Sequence, residues 1–186
     1  GTSSFTLNGP FTLEGDLSVN GTYDPSGSNY ATTFGGSSAQ SVTGTPSSLA
    51  FATLNVSNSN SVTLDPSLSS LTVQTLGGTG GNLTIGNNND FTVNNANGTV
   101  PGNLTIDASN TLSLDGLLTL TGDLTTNGTL AANGYELRLD GQNNQVIGGS
   151  AIKVGAFNVR NNSNSRTVTV NVDVTATGRV SINDPF

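Results

Sequence analysis

The side chains that carry most enzyme chemistry are absent from this chain. It has no His and no Cys among its 186 residues. A Ser-His triad, a thiol nucleophile, a zinc site and haem ligation are therefore excluded, because each needs an imidazole or a thiolate. We expect no enzymatic activity, no cofactor and no metal site.

Glu14 and Asp16 are the closest pair of acids. Polysaccharide lyases and hydrolases built on parallel β-helices use grouped carboxylates, and a spacing of two residues would place this pair on one face of a strand. No basic residue lies nearby, and a second copy of the motif has Thr121 in place of Glu14. We interpret the pair as a solvated corner and keep a carbohydrate-active enzyme as a third hypothesis.

Three further patterns in the sequence have the residue types of known binding or modification sites. Asp107 and Asp115 offer oxygen ligands for calcium, but the nonapeptide repeat of calcium-binding β-rolls is absent. Asn-X-Ser/Thr triplets begin at Asn20, Asn55, Asn82, Asn97, Asn103, Asn127 and Asn161. They arise automatically from NLT and NGT repeats, so by themselves they do not predict whether the chain is glycosylated. Threonine columns could bind ice on a flat face, but the threonine spacing predicts an uneven one.

The net charge of −7 argues against nucleic acid as a partner, because no cationic surface is available for phosphates. Every basic residue lies in the last quarter of the chain, from Arg138 to Arg179. If sequence order follows the axis of an elongated fold, one end is acidic and the other weakly basic; random clustering of a few charges is the alternative. No run of about 18 apolar residues exists, so no membrane span is expected.

A short motif recurs with a period of about 20 residues within 81–128. It reads GNLTI at 81–85, GNLTI again at 102–106 and GDLTT at 122–126, with short alternating runs in between. This pattern predicts an all-β, single-stranded parallel β-solenoid, a right-handed β-helix of about 20 residues per turn with no helices of note. An antiparallel β-sandwich is the alternative, since similar strand and turn spacing also produces it.

The repeats predict which side chains lie above one another. The inward stacks are Leu83 with Leu104 and Leu124, and Ile85 with Ile106. Asn82, Asn103 and Asp123 are expected to stack at a corner, where an asparagine ladder passes side-chain amide hydrogen bonds from turn to turn. Aspartate is expected to interrupt that ladder.

One continuous domain is expected over 1–186, with two similar modules, about 11–73 and 118–182, flanking the central repeats. FTLEGDLSVNGTY from Phe11 matches LTLTGDLTTNGTL from Leu118. The Ser-, Gly- and Pro-rich stretch 24–50 predicts longer corner loops with one strand near 39–42. Alternating valines between Arg166 and Ile182 predict either a final turn or a longer edge strand.

Three segments of the chain resemble a class of bacterial extracellular proteins. They are GDLSVNGTY from Gly15, GSSAQSVTG from Gly36 and TLNVSNSNSVTL from Thr53. The class is the repeat-rich parallel β-helix proteins of the filamentous-haemagglutinin and autotransporter-passenger type. The resemblance implies secretion, surface display and adhesion or scaffold roles, and it carries no catalytic residues. The lack of Cys fits export without disulfides, and the start at Gly1 suggests a mature or trimmed chain.

A solenoid has two open ends, each a row of unpaired backbone groups. We expect an extracellular or cell-surface subunit that stacks head-to-tail with itself, or exchanges a terminal strand, to build a filament. The predicted interface residues are Phe5, Leu7, Phe11, Leu13, Val168, Val170, Val172, Val174, Arg179 and Phe186. The alternative is the stalk or passenger segment of a surface adhesin, with the 24–50 loops contacting glycan or the host surface.

Overall fold

The structure, a computed structural model, is a parallel β-solenoid of about eight turns of roughly 21 residues. It describes residues 4–65, 68, 70–86, 90–94, 97–160 and 166–183. All the strand pairs in these ranges are parallel, so the solenoid prediction is confirmed and the antiparallel sandwich is wrong. Within them, the single helical element is a 3-10 turn at Ser26–Ser28.

The coil has three faces, and each turn contributes strands to them in chain order. Face 1 is an eight-stranded sheet of β3 (Leu17–Ser18), β6 (Gln40–Thr43), β8 (Ser61–Leu64), β10 (Asn82–Ile85), β13 (Leu104–Ile106), β16 (Leu124–Thr126), β19 (Gln145–Gly149) and β22 (Val168–Val170). Each strand pairs with the one that lies one turn away. The backbone hydrogen bonds of one turn are thus completed by its neighbours.

Face 2 contains β1 (Ser4–Phe5), β4 (Thr22–Tyr23), β7 (Ser48–Val56), β9 (Ser70–Gly77), β11 (Asp90–Val93), β14 (Thr111–Leu114), β17 (Thr129–Ala131), β20 (Ile152–Val154) and β23 (Val174–Ala176). The long strand β7 extends around the corner, where its second half pairs with β5 (Ala31–Phe34), which in turn pairs with β2 (Phe11–Leu13). That side continues as face 3, with β12 (Asn97–Val100), β15 (Leu117–Leu120), β18 (Glu136–Leu139), β21 (Ala156–Arg160) and β24 (Val180–Asn183).

The register places like side chains above like, as the repeats predict. Leu83 pairs with Leu104, Leu104 with Leu124, and Ile85 with Ile106. These side chains are buried, and the core continues along the whole axis as one cluster that includes Phe34, Phe51 and Phe91 at full burial. Period-2 alternation along each strand is what aims one set of residues inward and the other outward.

The glycine of the repeated motif is required by the close approach of neighbouring turns. A Cβ atom on Gly122 would collide with Oδ1 of Asn103 and with the backbone of Gly102. A Cβ atom on Gly102 would likewise collide with the backbone of Gly81. Gly15 occupies the same place in the first copy of the GDL motif, but nothing lies within 4 Å of its Cβ position, since none of the described turns lies below it.

The corner ladder differs from the prediction in its chemistry. Oδ1 of Asn82 accepts the backbone N–H of Asn103 at 2.9 Å, and Oδ1 of Asn103 accepts that of Asp123 at 2.8 Å. Oδ1 of Asp123 accepts the N–H of Val146 at 2.7 Å, and Asp16 does the same for Ser41. The prediction that Asp interrupts the ladder is wrong, because an acceptor oxygen is needed here and the amide N–H is not.

Two buried glutamines give both similar modules the same corner. Gln145 accepts the N–H of Gly141 and donates to the carbonyls of Leu120 and Gly122. Gln40 makes the equivalent bonds to Gly36, Leu13 and Gly15. Each side chain is 3% exposed. The matching sequences of the two modules therefore encode the same backbone path.

Two segments follow the coil more closely than the sequence predicts. Within 24–50 the predicted strand near 39–42 is present as β6, but β5 and the start of β7 also lie there. The prediction of a single strand among long loops is therefore wrong, and the longest corner in this stretch is 24–30. The valines after Arg166 form a final turn of three strands, with Val172 in a corner between β22 and β23. Pairing with the preceding turn overrides the local alternation that suggested one long strand.

Candidate functional site: the two ends of the solenoid

The last turn carries apolar side chains that no further turn covers among the described residues. In register, Val180 lies above Phe157 and Ile182 above Val159, which are both buried. Ile182 itself is 78% exposed and Val180 is 59% exposed. Inward-facing positions that are buried in every interior turn are thus presented to solvent at this end.

The first turn presents an aromatic surface. Phe5 is 50% exposed, and its ring stacks on Tyr23 with centroids 5.8 Å apart and contacts Phe11 at 5.7 Å. With Leu17, these rings line an open cavity of about 470 Å³. The hydroxyl of Tyr23 lies 2.6 Å from Oγ1 of Thr32, and burial raises the pKa of Tyr23 while this hydrogen bond acts in the opposite direction.

The ends also expose unpaired strand edges. In the described sheets the terminal members are β1, β2 and β3 at one end and β22, β23 and β24 at the other. None of these six strands contains a charged residue or a proline. Charges, prolines and bulges are how natural edge strands avoid pairing with other chains. Within these described strands the usual protection against strand addition is therefore absent, although Pro10, Asp16, Asp173 and Arg179 directly precede four of them.

The two ends differ in charge. From Ser4 to Phe34 the chain has Glu14, Asp16 and Asp24 and no basic residue. From 166 to 183 it has Arg166 and Arg179 against a single Asp173. Arg179 is exposed and donates to Oγ of Ser181 at 3.4 Å. The charge order along the sequence thus becomes a charge difference along the axis, because successive turns lie one above another.

The predicted interface residues lie in these end turns, with differing exposure. Leu7 is buried, Phe11 and Leu13 are half-buried, and Phe5 is exposed. At the other end Val168, Val172 and Val174 are half-buried, while Val170 and Arg179 are exposed. Phe186 lies outside the described residues.

Sequence reasoning missed Val180 and Ile182, the most exposed large apolar residues of the described chain. The alternating Val-Ser-Ile run after Gly178 was the available signal. The alternation from Val168 to Val174 is longer and therefore the stronger strand signal in this part of the chain. Only the pairing of β24 with β21 shows that this run closes the last turn.

The acids considered for catalysis or calcium are not gathered into a site. Glu14 and Asp16 are exposed in the corner between β2 and β3, and Asp16 Oδ1 is held by the N–H of Ser41 at 2.7 Å. Asp107 and Asp115 lie beyond opposite ends of β14, so the structure does not bring them together. Among the described residues, no group of three potential metal ligands forms.

Asp115 makes a different contact. It accepts a hydrogen bond from the hydroxyl of Tyr135 at 2.6 Å. This bond, together with the negative charge of Asp115, raises the pKa of Tyr135.

The sides of the rod are polar and more regular than expected on one face. On face 1, Ser41, Thr63, Thr84, Thr105 and Thr125 form one continuous outward column in register. The prediction that threonine spacing is uneven is therefore wrong for this face, because turns of 20 to 22 residues still align the strands. In the described part of the chain, no helix has the length and apolar character needed to cross a membrane.

No protein-family model matches this chain, and neither a curated protein nor a solved structure matches it.

Proposed function

We propose that this protein is a structural subunit of an extracellular filament or surface fibre, assembled head-to-tail through the open ends of the solenoid. The observation that supports this most directly is the uncovered last turn, where Ile182 is 78% exposed above the buried Val159. Covering such side chains stabilises by about 25 cal/mol per Å² of apolar surface. A second copy supplies the surface that covers them.

The geometry of the ends favours an open chain of subunits. One end presents the lower edge of a parallel ladder and the other presents the upper edge, so unlike ends continue the same parallel ladder, whereas two like ends can pair only antiparallel. A head-to-tail interface of this kind does not close on a dimer and generates filaments. The acidic first turn and the more basic last turn attract each other in the same orientation.

The extracellular placement is supported by composition and by the sequence resemblance. The chain has no Cys, and only 9% of its residues are charged. Its GDLSVNGTY, GSSAQSVTG and TLNVSNSNSVTL segments resemble secreted parallel β-helix proteins of the filamentous-haemagglutinin and autotransporter-passenger type. A fold stabilised by turn-to-turn hydrogen bonds and a continuous apolar core does not depend on disulfides.

Electron microscopy and light scattering of the purified protein over a range of concentrations test the proposal. We expect filaments whose length grows with concentration, and we expect Ile182→Lys to shorten them strongly because it places a charge on the covered edge. Val146→Lys is the matched control, since Val146 is 38% exposed on the side of the rod. Short single rods at all concentrations, or equal effects of the two variants, would contradict the proposal.

The second candidate is a stalk or passenger segment of a surface adhesin that binds glycan. The corner 24–30 favours it, because it is the longest of the corners that the structure describes in full, and such loops commonly carry binding residues. A glycan array that gives a specific signal, lost when this corner is shortened, would favour the adhesin. A signal that survives the shortening would not.

A further inference from the structure

The inward-facing residues of the two ends have matching spacing. In the last turn Val174 lies above Ile152, Val180 above Phe157 and Ile182 above Val159, so these three continue the inward columns. In the first turn the inward residues are Phe5, Phe11 and Leu13, which lie against Tyr23, Thr32 and Phe34. Val180 follows Val174 by six positions, and Phe11 follows Phe5 by six positions. In each end turn the third inward residue, Ile182 or Leu13, follows two positions later.

We infer that β23 and β24 of one copy pair with β1 and β2 of a second copy in one register. That register opposes Val174 to Phe5, Val180 to Phe11 and Ile182 to Leu13. The inference rests on the proposed head-to-tail filament and specifies its partner strands. β3 follows β2 in the chain and begins the next turn, as each strand of face 1 does throughout the rod.

Packing selects this register over its neighbours. A shift of one residue turns the inward residues of one copy toward solvent. A shift of two residues in one direction places Ile182 opposite Gly15, and a shift in the other direction leaves Leu13 without an apolar partner. Only the proposed register covers these three columns of faces 2 and 3 at once. Val170 on face 1 stays uncovered, because its strand β22 has no partner strand in the junction turn.

Charge is compatible with the same register. The charged residues at the junction fall opposite uncharged ones: Arg179 opposite Pro10, Asp173 opposite Ser4, and Glu14 opposite Asn183. Among the described residues, no two like charges therefore lie directly opposite each other across the junction. Such a pair would destabilise it.

Disulfide trapping tests the register directly, because the chain has no Cys of its own. Ser181 and Thr12 point outward, and they face each other across the proposed junction. Neighbouring strands are about 4.8 Å apart, within the 4.4–6.8 Å range of Cα separations that a disulfide spans. Mild oxidation of the Thr12→Cys/Ser181→Cys variant at filament-forming concentration should give a covalent ladder of dimers, trimers and longer chains.

Three controls separate the possible outcomes. Thr12→Cys alone and Ser181→Cys alone should give no ladder, and Glu14→Cys/Ser181→Cys should give little, because it is displaced by two residues and exceeds about 7 Å. Filaments with no ladder from the in-register pair, or with a stronger ladder from the displaced pair, would overturn the register and leave the filament proposal standing. Self-linking of Ser181→Cys alone would indicate antiparallel tail-to-tail pairing. Absence of any assembly would overturn both proposals.

Discussion

The Oδ1 atom of Asp123 accepts the backbone N–H of Val146 at 2.7 Å, across one turn of the coil. The asparagine at the same place one turn earlier, Asn103, makes the same contact with the N–H of Asp123 at 2.8 Å. A carboxylate and a carboxamide are thus interchangeable at this corner. The corner selects for a short side chain that ends in an acceptor oxygen, which Asn and Asp share.

We expect Asp123→Asn to retain most of this hydrogen bond and Asp123→Ala to remove it. The alanine variant should lose about 0.5–1.5 kcal/mol of unfolding free energy, the usual net worth of one hydrogen bond. Urea unfolding followed by circular dichroism measures the difference. An asparagine variant much more stable than the natural protein would support an amide-to-amide ladder and contradict the acceptor account.

Gln145→Glu should make stability depend on pH. Gln145 donates to the carbonyls of Leu120 and Gly122, which an ionised carboxylate cannot do. The buried Glu is therefore held in its protonated form, and its folded pKa is raised. Its contribution is present at low pH and is lost as pH rises through the folded pKa. We expect the unfolding free energy of the variant to be lower than that of the natural protein at pH 7, and we expect this difference to shrink near pH 4. An equal difference at both pH values would contradict the account.

Leu104→Ala should be strongly destabilising. Leu104 is 1% exposed and lies between Leu83 and Leu124 in the inward column. Removing a fully buried leucine side chain costs about 2–5 kcal/mol through lost burial and the cavity left behind. Leu117→Ala is the control, since Leu117 is an outward, half-buried leucine of β15. Thermal and urea unfolding should separate the two variants, and similar losses would mean that the column is not the stabilising core.

Gly122→Ala and Gly15→Ala should behave differently although both change the glycine of a GDL motif. A Cβ atom at Gly122 collides with Asn103 and Gly102, whereas one at Gly15 meets nothing within 4 Å. We expect loss of soluble, folded protein or a clearly lower melting temperature for Gly122→Ala. Gly15→Ala should stay close to the natural protein when measured at a concentration too low for assembly. Equal tolerance at the two sites would contradict the close approach of the turns.

Alkaline pH should weaken the fold partly through Tyr23. Burial raises the folded pKa of Tyr23, so the unfolded chain releases the phenol proton first as pH rises. The stabilising contribution is complete below the unfolded pKa of about 10 and is lost as pH passes the higher folded value. The unfolding free energy should therefore fall less steeply above pH 10 in Tyr23→Phe than in the natural protein. If the unfolding free energy falls equally steeply above pH 10 in both proteins, another ionisable group dominates the loss of stability.

The candidate site was predictable in place but not in detail. The sequence alone indicated the first turn and the valine-rich last turn, because a solenoid must end at the two ends of its repeats. It did not identify Val180 and Ile182, whose importance depends on which strand they pair with. It also assigned Val172 to a strand, although this residue lies in a corner. Local alternation cannot locate corners where the flanking residues are all compatible with strand.

The amino-acid sequence by itself favoured the parallel coil over the antiparallel sandwich and indicated its period and its inward columns, because GNLTI repeated at nearly constant spacing buries the same leucines when successive turns stack. The tertiary structure decided the rest. It showed that corner oxygens bind the backbone of the next turn, that threonines align on face 1, and which apolar residues remain uncovered. These properties depend on the stacking of segments about 20 residues apart, since corner lengths change from turn to turn and only pairing fixes which residues meet.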